Sequence, residues 1–113
     1  QHAVTGGQRA PGCCPTLDLA ALGTLDFAPP DETRFPALAL ARRVIDTGGT
    51  AGAVLNGANE AAVHAFLERQ IPFTRIVGLA ADALDAVATG PLTGLDAIAD
   101  ADAVARAWVE EHL

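Results

Sequence analysis

Residues 53–60, with the sequence AVLNGANE, decide how this chain folds, because they place two asparagines inside an otherwise apolar helical run. Asparagine is a poor residue for a helix interior, since its side-chain amide competes for backbone hydrogen bonds. Asn56 and Asn59 therefore need polar partners. Either one of them begins a helix and caps its own backbone, or both bridge to a neighbouring loop or domain. We assign Asn56, Asn59 and the adjacent Glu60 a structural role.

The sequence around this stretch predicts a helix over residues 51–69. Gly57 weakens its middle, and Pro72 ends the pattern. The positions that share its apolar face are Leu55, Ala58, Ala62, Ala65 and Phe66.

Glycine and proline divide the rest of the chain into three further helices. The first covers 36–47, from Pro36 to the stop signal Gly48-Gly49, and its apolar positions are Ala37, Leu38, Ala41, Val44 and Ile45. Thr74 caps the next, which ends before Gly90-Pro91 and carries the stripe Ile76, Val77, Ala80, Leu84 and Val87. Asp100 caps the last, with Val104, Ala105 and Trp108 facing inward and an i,i+4 ion pair between Asp102 and Arg106.

The first third of the chain is less regular. Residues 1–15 are rich in glycine and proline and predict an extended linker. Leu25 and Phe27 alternate with Asp26, which predicts a short strand over 24–27, whose partner would come from upstream of Gln1 or from another subunit. The predicted fold is mainly α, a bundle-like domain of four helices with one short strand and an extended N-terminal linker.

Composition excludes several classes of protein. The chain has 113 residues, enough for one small domain, and it has no methionine, so we expect a piece of a longer protein. Its net charge of -7 argues against nucleic acid and anionic membranes as partners. No apolar run is long enough to cross a bilayer, and no signal peptide is evident. The adjacent Cys13 and Cys14 are interpreted as linker residues in a reducing cytosol, so we expect a cytoplasmic location.

No set of residues has the spacing of a catalytic, cofactor or metal site. The glycines at 48, 49, 52 and 57 lack the Lys-Ser/Thr pair of a phosphate loop and are interpreted as helix punctuation. Glu60 and His64 are one turn apart, which is typical of a surface pair, since a zinc site needs at least three ligands. The acidic residues near Arg34, which are Asp26, Asp31 and Glu32, are typical of a solvated turn.

An ordered set of residues along most of the chain resembles the closing region of 1-deoxy-D-xylulose 5-phosphate (DXP) reductoisomerases. The set comprises Leu17-Asp18-Leu19, Leu22-Gly23, Leu25, Phe27, Pro30-Asp31, Arg34-Phe35-Pro36, Leu40-Ala41, Gly48-Gly49-Thr50, Ala53-Val54-Leu55-Asn56, Ala58-Asn59-Glu60, Ala65-Phe66-Leu67, Ile71, Phe73 and Ile76, followed by Leu95-Asp96 and Ala105-Arg106. Gln1-His2-Ala3-Val4-Thr5 and Gln8-Arg9 are similar to the end of that family's catalytic domain, although Gly6-Gly7 replace its usual aromatic-proline pair.

The resemblance implies that residues 1–16 are the end of a catalytic domain and a linker, and that 17–113 form a C-terminal helical domain that braces it. It implies a homodimeric parent enzyme that converts DXP to 2-C-methyl-D-erythritol 4-phosphate with NADPH and Mg²⁺ or Mn²⁺, in non-mevalonate isoprenoid biosynthesis. The family's catalytic, cofactor and metal residues precede the matched region, so none is carried over and this fragment alone is expected to be inactive.

Two alternatives stay open. The chain could be a non-catalytic binding or scaffolding module from a diverged paralogue, whose parent would lack the metal carboxylates. It could also be an independent small metal-binding or ligand-binding protein, which would need a polar pocket.

Overall fold

A computed structural model describes residues 3–8, 12 and 15–113, and the regular structure in these residues is entirely helical. The five helices are α1 (Leu19–Leu22), α2 (Ala37–Thr47), α3 (Ala51–Leu67), α4 (Arg75–Ala86) and α5 (Leu95–Glu111). The predicted mainly helical fold is therefore confirmed. The single-turn helix α1 was not predicted, and it forms because the Asp18 carboxylate accepts hydrogen bonds from the backbone N–H groups of Ala20 and Ala21.

The short strand predicted over 24–27 is absent. These residues have no regular structure, the side chains of Leu25 and Phe27 are exposed, and the described part of the chain holds no strand with which they could pair. A lone strand leaves its backbone groups without partners. The predicted linker is not fully extended either, since residues 3–7 form turns. Cys13 and Cys14 lie outside the described residues.

The core is built around α3, which packs most extensively against α5 and α4. The side chains that α3 buries are small, so that its neighbours approach closely. The buried residues are Ala51, Val54, Ala58, Ala62 and Ala65 of α3, Ile76, Leu79, Ala80, Ala83 and Leu84 of α4, and Ala105 and Val109 of α5, with Ile71 and Val87 from the connections.

Gly57 has a different role from the one that the sequence predicts. It is buried, and a Cβ atom placed on it would lie 2.8 Å from both the carbonyl oxygen and the Oδ1 atom of Asp102. Such distances are shorter than van der Waals contact. Gly57 therefore allows α5 to approach α3 closely at Asp102, and it is not a weak point of α3.

The last helix begins earlier than predicted. α5 starts at Leu95, after Gly94, so Asp100 lies inside the helix and does not cap it. Residues 95–99 include good helix formers, and the Asp96 carboxylate in the first turn is stabilised by the positive end of the helix dipole. Ala105 is buried as predicted, whereas Val104 is 54% exposed and Val109 takes its place in the core.

The apolar stripe predicted for the first long helix is also not buried. α2 has no fully buried residue and contacts α3 along a short stretch, although Leu40 and Val44 are half-buried against the core. Its link to α4 is polar, because Arg43 forms an ion pair with Asp85 at 2.5 Å and its Nη2 donates a hydrogen bond of 3.4 Å to the Leu84 carbonyl oxygen. The stripe therefore faces an open groove.

The predicted stop signal Gly48-Gly49 is confirmed. Gly48 follows α2 with φ +67° and Gly49 continues at +55°, values that favour glycine. None of the helices in the described ranges combines the length and apolar character needed to cross a bilayer.

Candidate functional site

The three residues singled out from the sequence lie together on the exposed side of α3. Asn56, Asn59 and Glu60 are all solvent-accessible and lie between its second and third turns. Because α3 begins at Ala51, neither asparagine starts the helix, and the capping interpretation is wrong. The Asn56 Nδ2 atom instead donates a hydrogen bond of 3.4 Å to the Glu60 Oε1 atom. Within 3–8, 12 and 15–113, the Asn59 amide has no hydrogen-bond partner.

Glu60 connects α3 to α5 through a shared arginine. The Arg106 guanidinium donates from Nη2 to the Glu60 Oε2 atom. It also donates from Nε to the Asp102 Oδ2 atom at 2.6 Å and from Nη2 to Oδ1 at 3.2 Å. The predicted ion pair of Asp102 and Arg106 is confirmed. The sequence did not reveal the link to Glu60, which spans 46 positions.

This network shifts the titration of its members. The hydrogen bond from Arg106 and the charge of its guanidinium lower the pKa of Glu60, with a smaller contribution from the Asn56 amide. The hydrogen bonds to Asp102 and Glu60 raise the pKa of Arg106 above its usual value. Both shifts favour the charged forms, so the network is an ion-pair clamp and not an acid–base pair poised near neutral pH.

The surface pair expected between Glu60 and His64 does not form, because the Glu60 carboxylate forms its ion pair with Arg106. Among the described residues, no three side chains of His, Cys, Asp or Glu lie close enough to share a metal ion. The prediction that Glu60 and His64 bind no metal remains a prediction.

The acidic turn before α2 is structural. The Asp31 carboxylate accepts hydrogen bonds of 3.1 Å from the backbone N–H groups of both Thr33 and Arg34, while Glu32 pairs with Arg42 of α2. A carboxylate that closes its own turn in this way is a common feature of exposed loops. At the other end of the chain, Trp108 is half-buried against the core and stacks on His112, with ring centroids 3.9 Å apart.

An apolar groove of about 430 Å³ lies between α2, α3 and α4, and Asn59 is one of its lining residues. Leu40, Val44 and Ile45 of α2 form one wall and Leu55 of α3 forms the other. Among the described residues, Asn56 and Asn59 are the only polar ones that line it, and none of its lining residues is charged. α3 therefore presents a core face, an ion-paired edge and a groove.

The sequence of residues 1–108 matches the family described as "DXP reductoisomerase C-terminal domain". The chain belongs to this family. It is 54% identical to 1-deoxy-D-xylulose 5-phosphate reductoisomerase of Ralstonia nicotianae over 99 residues, which are 88% of this chain and 25% of the relative. It is 49% identical to the reductoisomerase of Pseudomonas putida strain F1 over 100 residues, which are 85% of this chain and 25% of that protein.

The fold of the DXP reductoisomerase C-terminal domain is also found in a solved structure, "1-deoxy-D-xylulose 5-phosphate reductoisomerase from zymomonas mobilis in complex with NADPH". The two structures superpose with a TM-score of 0.84 at 35% sequence identity. The superposed region comprises 98% of this chain and 29% of the Zymomonas mobilis chain. The chain thus spans about a quarter of the length of the curated relatives it matches.

Proposed function

We propose that this chain is the C-terminal structural domain of a DXP reductoisomerase, in which it braces the catalytic domain and contributes no catalytic residue. The observation that carries the proposal is the match of residues 1–108 to the C-terminal domain of that family. In keeping with this match, the chain aligns with only about a quarter of the length of its relatives. The parent enzyme would convert DXP to 2-C-methyl-D-erythritol 4-phosphate, as the resemblance implies.

The contacts of the described side chains support a bracing role. Arg106 forms ion pairs with both Glu60 and Asp102 between α3 and α5, and Arg43 pairs with Asp85 between α2 and α4. Exposed ion pairs of this kind each add little to stability, but they link neighbouring helices, and charges that are paired in this way are poorly suited to proton transfer at neutral pH.

NADPH and a divalent metal, Mg²⁺ or Mn²⁺, belong to the parent enzyme in this proposal and not to this chain. The residues described do not fit a metal, since Glu60, the central carboxylate, is bonded to a guanidinium and the groove beside it has no charged donor. We therefore assign no step of the reaction to residues 3–8, 12 or 15–113.

The proposed layout follows from the same resemblance. Residues 1–16 would end the catalytic domain and lead into the helical domain of 17–113, and the upstream catalytic domain would be the main partner. The exposed Leu25 and Phe27 would form their strand only against that domain or another subunit. The parent would be a cytoplasmic homodimer.

The test is NADPH oxidation in the presence of DXP and Mn²⁺, measured for three proteins: the full-length parent, the parent truncated after residue 16, and this chain alone. We expect turnover from the full-length parent, a severe loss on truncation with NADPH still bound, and none from this chain. Turnover by this chain, with full-length enzyme excluded, would contradict the proposal. A folded but inactive full-length parent would instead indicate the diverged scaffolding paralogue.

A further inference from the structure

Asn56 and Gly57 form the one asparagine–glycine pair in the chain. The side-chain carbonyl carbon of an asparagine is open to attack by the backbone nitrogen of the next residue, which closes a five-membered succinimide ring. The attack is least hindered when that residue is glycine, because glycine has no Cβ atom and its backbone rotates freely. Asn59 is followed by Glu60, whose side chain hinders the same attack. The sequence therefore carries one site that is chemically prone to deamidation.

Deamidation of Asn56 would consume one water molecule and release ammonia. The Gly57 nitrogen forms a bond to the Asn56 Cγ atom and the bond from Cγ to Nδ2 breaks. The amide nitrogen leaves as ammonia with the proton of the Gly57 nitrogen. Water then opens the ring at one of its two carbonyl groups and leaves aspartate or isoaspartate. The Asn56 side chain is exposed, so water reaches it.

α3 holds the pair in a geometry that prevents this attack. Gly57 lies inside α3, where each backbone N–H donates to the carbonyl oxygen four residues earlier. Closing the succinimide ring needs a ψ angle at Asn56 that is not helical, and a Gly57 nitrogen released from the helix. The Asn56 Nδ2 atom is also bonded to the Glu60 Oε1 atom at 3.4 Å. Ring closure therefore requires α3 to open at this turn.

The packing of α3 on α5 explains why glycine follows Asn56. A Cβ atom at position 57 would lie 2.8 Å from the carbonyl oxygen of Asp102, so the two helices approach closely only because this position has no side chain. The residue that makes Asn56 reactive in an open chain is thus the residue that lets the closed domain pack.

Either product would prevent α3 from closing as before. Aspartate at position 56 removes the amide donor to Glu60 and places a second carboxylate one turn before it, a like-charge spacing that destabilises a helix. Isoaspartate adds one carbon to the main chain and shifts the helical register just before the close approach at Gly57. We propose that Asn56-Gly57 is a deamidation site that folded α3 protects, so that modification follows opening of the helix and marks the opened protein irreversibly.

The experiment follows deamidation of the full-length protein in mildly alkaline buffer, with and without guanidinium chloride. Trypsin, used at mildly acidic pH so that digestion adds no deamidation, releases residues 44–69, between Arg43 and Arg69. This peptide contains both asparagines, and mass spectrometry measures the replacement of each amide by a carboxyl group. Asn59 is the internal control, because it shares the peptide, the helix and the exposure of Asn56.

Thr50→Val tests whether opening of α3 controls the rate, with Thr47→Val as its control. The Thr50 hydroxyl accepts a hydrogen bond from the Gly90 N–H directly before α3, whereas the Thr47 hydroxyl bonds only within α2. Because ring closure is slow compared with helix opening, the rate in the folded protein follows the open fraction. We expect Thr50→Val to raise the rate about fivefold, the factor that corresponds to about 1 kcal/mol, and Thr47→Val to leave it unchanged.

In guanidinium chloride we expect rapid modification of Asn56 and little of Asn59, and in buffer a rate at Asn56 that is lower by at least about tenfold. Unfolded protein that deamidates no faster at Asn56 than at Asn59 would show that the pair is not a site. Equal rates at Asn56 in folded and unfolded protein, or with and without Thr50→Val, would show that α3 does not protect it.

Brief proteolysis of folded, partly modified protein tests whether the mark is irreversible. Molecules with isoaspartate at position 56 should be cleaved first, because their α3 stays open. An unchanged fraction of isoaspartate in the surviving protein would contradict this part of the proposal.

Discussion

Thr50 and Gly90 bond each other twice across the domain. The Thr50 N–H donates to the Gly90 carbonyl oxygen at 2.9 Å, and the Gly90 N–H donates to the Thr50 hydroxyl oxygen at 3.0 Å. Thr50 is 5% exposed, the only buried polar residue among those described. Gly49 lies so close to the same loop that a Cβ atom on it would come within 2.1 Å of the Gly90 oxygen. The turn between α2 and α3 is therefore fixed to the connection between α4 and α5.

Replacing the Thr50 hydroxyl should weaken this connection. Thr50→Val keeps the shape of the side chain but leaves the Gly90 N–H without its acceptor, and we expect the free energy of unfolding to fall by about 1 kcal/mol. The measurement is urea unfolding followed by Trp108 fluorescence. Thr47→Val is the control, because the Thr47 hydroxyl is exposed and bonds only its own helix, at the Arg43 oxygen. Equal effects of the two substitutions would contradict the prediction.

Two glycine-to-alanine substitutions in α3 should have opposite effects. At Gly57 the new methyl group would meet the Asp102 backbone at 2.8 Å, so we expect a loss of about 1–3 kcal/mol of stability in spite of alanine's higher helix propensity. At Gly52 the nearest atom is the Val44 Cγ1 at 3.8 Å, an ordinary contact, and we expect a gain of up to about 1 kcal/mol. Denaturant melts of the two variants test this, and a stabilised Gly57→Ala protein would show that the helices are farther apart.

Acidification should release the clamp between α3 and α5. Arg106 lowers the pKa of Glu60 in the folded protein. The Glu60–Arg106 pair therefore contributes fully to stability above the pKa that Glu60 has in the unfolded chain, and this contribution is lost as the pH falls through the lowered pKa. Glu60→Gln should therefore flatten the dependence of the urea midpoint on pH between about pH 5 and pH 3, around the ordinary glutamate pKa. Glu110→Gln, an exposed change on α5, serves as the control and should leave the slope unchanged.

The effect of Asn59→Ala should depend on the rest of the enzyme. In this chain alone Asn59 is exposed, and we expect a change within about 0.5 kcal/mol, as for other surface substitutions. In the full-length parent, a loop or domain to which Asn59 bridges would lose its hydrogen-bond partner, and we expect stability to fall by about 1–3 kcal/mol, while the affinity for NADPH and metal and the kcat of folded enzyme stay nearly unchanged. A large fall in kcat with an unchanged melt would mean that α3 reaches the active site.

Chelation should leave this domain unaffected. The Glu60 carboxylate is bonded to Arg106, and a pair of ligands such as Glu60 and His64 would leave a zinc ion half coordinated in any case. We expect the same melting temperature with and without EDTA. Stoichiometric zinc in elemental analysis, or a melting temperature lowered by EDTA, would show that this part of α3 binds metal.

The sequence by itself determined where most helices begin and end. Gly48-Gly49, Pro72 and Gly90-Pro91 act through their own backbone geometry, which needs no neighbour, and the structure places helix ends close to each of them. The buried stripe of α4 and the Asp102–Arg106 pair were predictable for the same reason, since helical spacing alone brings such residues to one face. The family resemblance, carried by an ordered set of residues, was likewise readable without coordinates.

Only the tertiary structure decided which faces pack and what the polar residues bind. The Glu60–Arg106 pair, the close approach at Gly57 and the Thr50–Gly90 bonds each join positions at least 40 residues apart, and local periodicity carries no information about such pairs. The strand predicted at 24–27 is not seen in this chain, and the apolar stripe of α2 stays largely exposed, for one physical reason. An apolar pattern shows that a surface needs a partner, but whether that partner is present depends on the packing of the whole molecule.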